Sequence, residues 1–218
     1  MSSEVGWEFP IDAADQWQGF NDPGIEHFRG NPIGSLAREM IQNSLDAPSG
    51  SPVSVSFQLH DVPIKEIPNI DQLKYTIQRC SEAEGNESRK AKEFFATASK
   101  LLSGKYIPVL SIIEGNTTGI RGPCRNGTPY FAYMKATGQS KKELQEGDTG
   151  LGSYGIGKFA PFAVSNLRTM FVSTVFEDEK GRFKQFTQGK AILTSHIDRA
   201  KRTRQNVGYC GVKANCMP

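Results

Sequence analysis

The sequence predicts an α/β fold that contains antiparallel strands. Residues 35–47 carry apolar side chains at helical spacing, as in an amphipathic helix that packs on a sheet. Residues 52–59 alternate apolar and polar side chains, which is the pattern of a half-buried strand. Two further β-rich runs, residues 167–176 and 182–194, are joined by a short turn that ends at Gly181, as in a hairpin.

Length and composition fit one medium-sized domain. The chain has 218 residues, a net charge of +3 and 37% hydrophobic residues. The sequence has no apolar run long enough to span a bilayer, and its first residues lack the order of a signal peptide. Four cysteines in so long a chain do not indicate a disulfide framework, and no histidine adjoins Cys210 and Cys216 as in a zinc site. We therefore expect reduced thiols, a cytoplasmic location and no membrane partner.

The N-terminal residues 1–34 predict an arm that leads into the first long helix. They mix aromatic side chains with turn formers, so we expect the arm to pack its aromatic rings onto the domain. Asn31 and Pro32 form an N-cap and a first-turn proline, which opens the helix of residues 35–47. The turn formers at residues 48–50 end it.

Three polar residues of this helix, Glu39, Asn43 and Asp46, are spaced i, i+4 and i+7 and share one face. A carboxylate there can orient or deprotonate a water molecule, and an amide oxygen can ligate a hard cation such as Mg²⁺. The alternative is a solvated polar face, which is the more common explanation for such a helix taken alone.

Residues 61–106 predict a helical insertion. Two turns that contain proline lead into helical spacing at residues 70–79, and a break at residues 85–86 separates it from a second helix at residues 88–102. We expect a helical hairpin over one edge of the domain, with simple packing as its default role. The apolar run 106–113 then predicts a strand in the middle of a sheet.

The long loop of residues 120–149 precedes the stretch Gly150–Lys158, in which four residues are glycine. Glycines that feed a short helix can cradle an anion, because backbone N–H groups and the helix dipole point at it. The stretch also matches parts of the dinucleotide-binding and P-loop patterns. Neither applies, since the polar residues 140–149 cannot form the buried strand that both motifs require.

Together, the helix face and the glycine-rich stretch resemble motifs of the GHKL superfamily, the ATPase domains of gyrase B, Hsp90, histidine kinases, MutL and MORC proteins. Residues 39–47 are similar to the N-box, and residues 151–159 to the glycine-rich box in its Hsp90-like and MORC-like form. Residues 109–120 lie where the family has a strand and its D-x-G-x-G box. The resemblance covers nearly the whole chain, in the order of the family.

The resemblance implies the ATP-binding (Bergerat) fold: a two-layer α/β sandwich with a mixed, mostly antiparallel sheet, helices on one face and an ATP lid. Residues 1–218 would form one such domain, with 1–34 as N-terminal arm, 61–106 as helical insertion and 120–149 as lid. We expect it to be the N-terminal part of a longer protein.

The resemblance also implies roles for single residues. Glu39 would polarise the attacking water, Asn43 would hold the Mg²⁺ that bridges the phosphates, and Lys158 would bind phosphate with its ammonium group. The implied nucleotide-binding set is Asn43, Asp46, Glu114, Asn116, Thr118, Gly119, Gly150, Leu151, Gly152, Ser153, Tyr154, Gly155, Ile156, Gly157, Lys158 and Thr194.

The adenine-binding position departs from the family pattern. Aligning Gly119 with the last glycine of the family box places Gly115 where an aspartate is expected. Glu114 is the nearest carboxylate and is favoured for this role, with a backbone group or a water molecule as the alternative. The threonine that the family places near the adenine would be Thr187 or Thr194, which the sequence does not distinguish.

The expected function is Mg²⁺-dependent ATP binding and hydrolysis, with ATP-driven lid closure and dimerisation. Turnover by this chain alone is expected to be slow, because gyrase-like relatives add a lysine from a second domain. One alternative is a switch that binds ATP without hydrolysing it, and a less favoured one is a histidine kinase catalytic domain. The process served, such as chaperoning, DNA repair or phage defence, is left open.

The expected partners are ATP or ADP, a second copy of the chain, and C-terminal domains or partner proteins outside it. The basic run 198–204 leaves a nucleic-acid partner open. Such short runs are more often solvated surface, and no nucleic-acid motif accompanies this one. A nucleic-acid partner is therefore unsupported.

Overall fold

The computed structural model describes residues 4–137 and 155–218. Its central sheet has four strands in the order β1-β8-β5-β4, and each neighbouring pair is antiparallel. The strands are β1 (Val5–Glu8), β4 (Thr169–Glu177), β5 (Phe183–Ile192) and β8 (Val207–Val212). The α/β class and the antiparallel pairing predicted from the sequence are confirmed.

Helices cover both faces of this sheet. Alternate residues of a strand point to opposite faces, and Ala191 and Cys210 pack on one face against α3 (Ile70–Glu84) and α4 (Arg89–Leu102). The other face, which carries Ile192, lies under α1 (Pro23–Glu26), α5 (Pro129–Met134) and α6 (Ala160–Val164).

The prediction that helices lie on one face therefore describes only part of the arrangement. The α3–α4 hairpin, which we expected over one edge, packs on the opposite face of the sheet. Both helices have an apolar stripe, through Leu73 and Ile77 in α3 and Phe95 in α4, that must be buried. The sheet has an apolar second face that accepts this stripe.

The strands β2 (Ser54–Pro63) and β3 (Tyr106–Gly115) form a two-stranded antiparallel ribbon, separate from the four-stranded sheet within the described residues. The prediction of a strand in the middle of a sheet is wrong for residues 106–113. Tyr106 and Ile113 are 59% and 53% exposed, because β3 pairs only with β2. Ile107 alone of its side chains is fully buried in the core of the α3–α4 face.

The helix α2 (Pro32–Leu45) begins as predicted. The Asn31 side chain accepts a hydrogen bond from the Gly34 N–H at 3.1 Å, and Pro32 occupies the first turn. Leu36 and Met40 pack against α6 and β3, with Ala160 and Ile112 as partners. This contact positions the site described below.

Short elements complete the part of the chain that the structure describes. The predicted N-terminal arm contributes β1 and α1, and two-residue strands β6 (His196–Ile197) and β7 (Thr203–Arg204) pair with each other. No helix in residues 4–137 or 155–218 is long and apolar enough to cross a membrane.

Candidate functional site

The structure brings the predicted N-box helix into contact with the predicted glycine-rich box. α2 packs against α6 and against the helical turn Gly157–Phe159 that precedes it. The α-carbon of Gly157 faces the carboxylate of Glu39 so closely that a Cβ built there would lie 1.9 Å from Oε2. A side chain at position 157 would displace the Glu39 carboxylate, and two motifs separated by more than a hundred residues meet there.

The polar face of α2 is oriented away from the core. Leu36, Met40 and Ser44 form its buried side, whereas Glu39 is half-buried and Asn43 is exposed. Neither the Glu39 carboxylate nor the Asn43 amide has a hydrogen-bond partner among the described residues, so both groups are available to a ligand or a water molecule.

Asp46, the third predicted residue of this face, lies at the C-cap of α2. Its Oδ1 accepts a hydrogen bond from Gln42 Nε2 at 2.6 Å. The carboxylate therefore already has a partner within the helix.

The described part of the glycine-rich box has the backbone expected of a turn into a helix. Gly155 has φ of +69°, which is the left-handed region that glycine adopts without strain. Ile156 packs with the core residues beneath α2. The predicted binding residues Gly150, Leu151, Gly152, Ser153 and Tyr154 lie outside the described residues.

Lys158, the predicted phosphate ligand, is buried in the structure, with 7% of its surface exposed. Its Nζ donates hydrogen bonds to the carbonyl oxygens of Ala132, at 2.8 Å, and Ala136. Burial lowers the pKa of this ammonium group. Here Lys158 ties the residues around α5 to the start of α6, so a direct phosphate contact would require these bonds to break.

Glu114 lies at the end of β3, close to the last turn of α2. Burial raises the pKa of its carboxyl group, and a hydrogen bond with the Ser44 hydroxyl opposes this shift. Burial, and to a lesser extent the charge of Glu114, raises the pKa of Tyr133 to about 12. Ser44 and Tyr133 thus surround the favoured adenine-binding carboxylate. The sequence analysis did not single them out, because only the fold brings α2, β3 and α5 together.

Asn116 and Thr118 connect the segment after β3 to the end of α2. Asn116 Nδ2 donates to the Pro52 carbonyl at 2.7 Å, and its own carbonyl accepts from the Ser49 N–H at 2.8 Å. The Thr118 N–H donates to the carbonyl of Ala47 at 2.9 Å. In the structure, these hydrogen bonds fix the segment after β3 against the end of α2.

Gly119 is fixed against β4 by a close approach that excludes a side chain. It has φ of +65°, and a Cβ there would lie 2.2 Å from the Val175 carbonyl oxygen and 2.8 Å from Thr174 Oγ1. The next residue, Ile120, donates its N–H to Thr174 Oγ1 at 2.8 Å. Thr174 is therefore the strand threonine beside this box.

The two threonines considered in the sequence analysis lie elsewhere. Thr194 is fully buried, and its carbonyl accepts hydrogen bonds from Cys80 on α3 and from His196. Thr187 is exposed on β5, where its hydroxyl lies 3.1 Å from that of Ser173. The strand alternation of β4 was the signal for Thr174, whose side chain faces inward between the exposed Ser173 and Val175.

A magnesium ion at this site would need most of its ligands from phosphate and water. Among the described residues there is no group of three His, Cys, Asp or Glu side chains that could hold a metal ion. The exposed amide oxygen of Asn43 fits this requirement, because Mg²⁺ commonly keeps several water ligands and takes others from substrate phosphates.

A cleft of about 480 Å³ lies at a different place in the fold. Its walls include Trp7, Tyr75, His196 and Arg204, and it contains none of the predicted site residues. The Glu39–Gly157 contact, which joins the two motifs, lies outside this cleft.

No protein-family model, curated protein or solved structure matches this chain in the comparisons made. The resemblance to the GHKL superfamily therefore depends on the motifs and on the geometry described above.

Proposed function

We propose that the chain binds ATP with Mg²⁺ and hydrolyses it as a GHKL-type ATPase domain. The observation that carries the proposal is the contact between Glu39 and Gly157. It joins a carboxylate that has no hydrogen-bond partner among the described residues to a glycine turn at the start of a helix, and such turns are well suited to bind phosphate.

Each residue contributes a separate part of the reaction. Asn43 ligates the Mg²⁺ that neutralises the phosphates, and the backbone N–H groups of Gly155 and Gly157 contact the phosphate oxygens. Glu39 orients the attacking water and accepts its proton. Phosphoryl transfer depends mainly on such positioning and on charge stabilisation. Glu114, with a backbone group or water as the alternative, contacts the adenine.

ATP binding would also change how the lid segment, residues 120–149, contacts the rest of the domain; residues 138–149 of it lie outside the described residues. Lys158 supports this part of the proposal, because it follows Gly157 directly and holds the carbonyl groups of Ala132 and Ala136. Phosphate at the glycine turn would compete for the ammonium group of Lys158. Such a competition links ligand binding to lid position and, through the lid, to dimerisation or to further domains.

A switch that binds ATP without hydrolysis is the second candidate. The hydrogen bonds of Lys158 favour it, since a lysine already held by two carbonyl groups stabilises developing phosphate charge less well. Phosphate release separates this candidate from the ATPase.

The proposal is tested by following phosphate release from MgATP by the wild type, Glu39→Gln and Arg38→Ala. Arg38 is exposed on the same helix and serves as the matched control. We expect slow release by the wild type and by Arg38→Ala, and a decrease of about a hundredfold in Glu39→Gln, which keeps its shape but cannot accept a proton. Equal release by the wild type and Glu39→Gln would contradict the role of Glu39, and binding without release would establish the switch.

A further inference from the structure

A buried lysine on the central sheet has no assigned role. Lys190 lies on β5 between Met170 of β4 and Tyr209 of β8, and only 5% of its surface is exposed. Its Nζ is 5.8 Å from the ring centroid of Phe162 in α6 and 5.9 Å from that of Tyr209. The ammonium group therefore lies between the sheet and α6.

Two other lysines lie near it and together with it form a lysine cluster (Lys135, Lys158 and Lys190). Lys135 Nζ is 4.6 Å from the ring centroid of Tyr209, and the charges of Lys135 and Lys158 both act on Lys190. Lys135 donates hydrogen bonds to the carbonyls of Asn215 and Cys216.

Lys190 differs from the other two in its hydrogen bonding. Lys158 donates to two carbonyl groups and Lys135 to two others, whereas Lys190 donates to no residue in the described parts of the chain. The acidic group that acts on it, Asp22, already accepts hydrogen bonds from the N–H groups of Gly24 and Ile25 as the N-cap of α1. Among the described residues, therefore, no carboxylate or carbonyl group accepts a hydrogen bond from the Lys190 ammonium group.

This environment disfavours the charged form of Lys190. Burial, and to a lesser extent repulsion by Lys158 and Lys135, lowers its pKa to about 7, while Asp22 acts in the opposite direction. A methionine of similar length would fill the same space without this penalty. An anion that enters the cluster would remove the penalty, because it would accept the unused hydrogen bonds and compensate the three charges.

We propose that Lys190 is a phosphate-binding residue, whose ammonium group contacts the terminal phosphates of a bound nucleotide together with Lys158. The position of the cluster supports this role. Lys158 follows Gly157, which lies against the Glu39 carboxylate, so the backbone of one residue of the cluster adjoins the turn proposed to hold the phosphates. The inference rests on the proposed function for the nature of the ligand. It adds a cation from the sheet itself to a site otherwise formed by α2 and the glycine turn.

The proposal predicts proton uptake on binding. Near pH 7.5 part of the Lys190 population is neutral, and a bound polyphosphate stabilises the charged form, so the protein takes up a proton from the solvent. A residue that only fills space would not produce this uptake.

The test is calorimetric titration of the whole chain with MgATP and with inorganic tripolyphosphate at pH 7.5, in two buffers of different ionisation enthalpy. The variants are Lys190→Met and, as the matched control, Lys184→Met, which changes an exposed lysine of the same strand. We expect Lys190→Met to bind both ligands about tenfold or more weakly and without the extra proton uptake, and Lys184→Met to behave as the wild type.

The stability of Lys190→Met shows whether weaker binding reflects misfolding. Because its folded pKa is lowered to about 7, Lys190 destabilises the native state fully below that pH, and the effect decreases as the pH rises from there to the unfolded pKa of 10.5. Without ligand, the variant should therefore melt at the same or a higher temperature than the wild type at pH 7.

The outcomes separate the two proposals. Binding of tripolyphosphate but not of MgATP by the wild type, with loss in Lys190→Met, would support the phosphate role and overturn the nucleotide function. Equal affinity and equal proton uptake in the wild type and Lys190→Met would overturn the inference while leaving the ATP-binding proposal in place. Failure of the wild type to bind either ligand would overturn both.

Discussion

At the scale of single residues, the contact between Glu39 and Gly157 determines what the site can do. It places the carboxylate against the helical turn Gly157–Phe159 that precedes α6. The same contact explains a glycine at position 157 by close approach rather than by unusual backbone angles.

Replacing this glycine tests the contact. We expect Gly157→Ala to displace the Glu39 carboxylate and to abolish phosphate release, and to destabilise the fold by less than about 1 kcal/mol because the flexible Glu39 side chain can move aside. Gly30→Ala is the control, because a Cβ at position 30 would meet no atom within 4 Å. Urea unfolding and phosphate release measure the two effects. Wild-type stability and release in Gly157→Ala would show that the close contact does not exist in solution.

Local sequence signals predicted part of this site. The helix face with Glu39 and Asn43 follows from spacing alone, and the predicted N-cap at Asn31 is confirmed. Strand alternation indicates that Thr174 faces inward, but no local signal predicts the contact partners of Ser44 and Thr174. Their importance comes from contacts with Glu114 and Ile120, which lie far away in sequence.

At the scale of elements, α5 and α6 are linked by one buried side chain. Lys158 at the start of α6 donates hydrogen bonds to the carbonyls of Ala132 and Ala136 at the end of α5. Ala132 belongs to the last turn of α5, and Ala136 lies just beyond the C-cap residue Lys135. The lysine therefore stabilises both elements at once.

Removal of this link should loosen α5. We expect Lys158→Met to increase amide hydrogen exchange in residues 129–137 by about tenfold, because two hydrogen bonds at the helix end are lost. Lys180→Met, at an exposed turn, should leave exchange unchanged. Unaltered protection of α5 in Lys158→Met would mean that the packing of Tyr130 and Met134, and not the lysine, holds this helix.

The helices and strands themselves could be predicted from the sequence better than the elements against which they pack. The helices α3 and α4 and both strands of the β4–β5 hairpin follow from local periodicity. The position of β3 could not be predicted in this way, because the sequence of an apolar strand does not show whether the strand pairs with one neighbour or with two. Only the fold shows that it pairs with β2 alone and leaves Tyr106 exposed.

At the scale of the whole molecule, the domain is a four-stranded antiparallel sheet with a helical layer on each face. The α3–α4 hairpin covers one face, and α6 on the other face carries α2 of the candidate site on its outer side. The insertion thus buries the second apolar face of the sheet. The lysine cluster lies on the site face, between β5 and α6, where it adjoins the glycine turn.

The most direct test of the central claim is calorimetric titration of MgATP into the wild type and Asn43→Ala, with Asn86→Ala as a control at an exposed position. Asn43 is exposed on α2 and supports no packing, so its loss should leave the fold intact. We predict that the wild type and Asn86→Ala bind MgATP and that Asn43→Ala binds it about tenfold or more weakly. Absence of binding by the wild type, or equal binding by Asn43→Ala, would contradict a nucleotide site formed by α2 and the glycine-rich box.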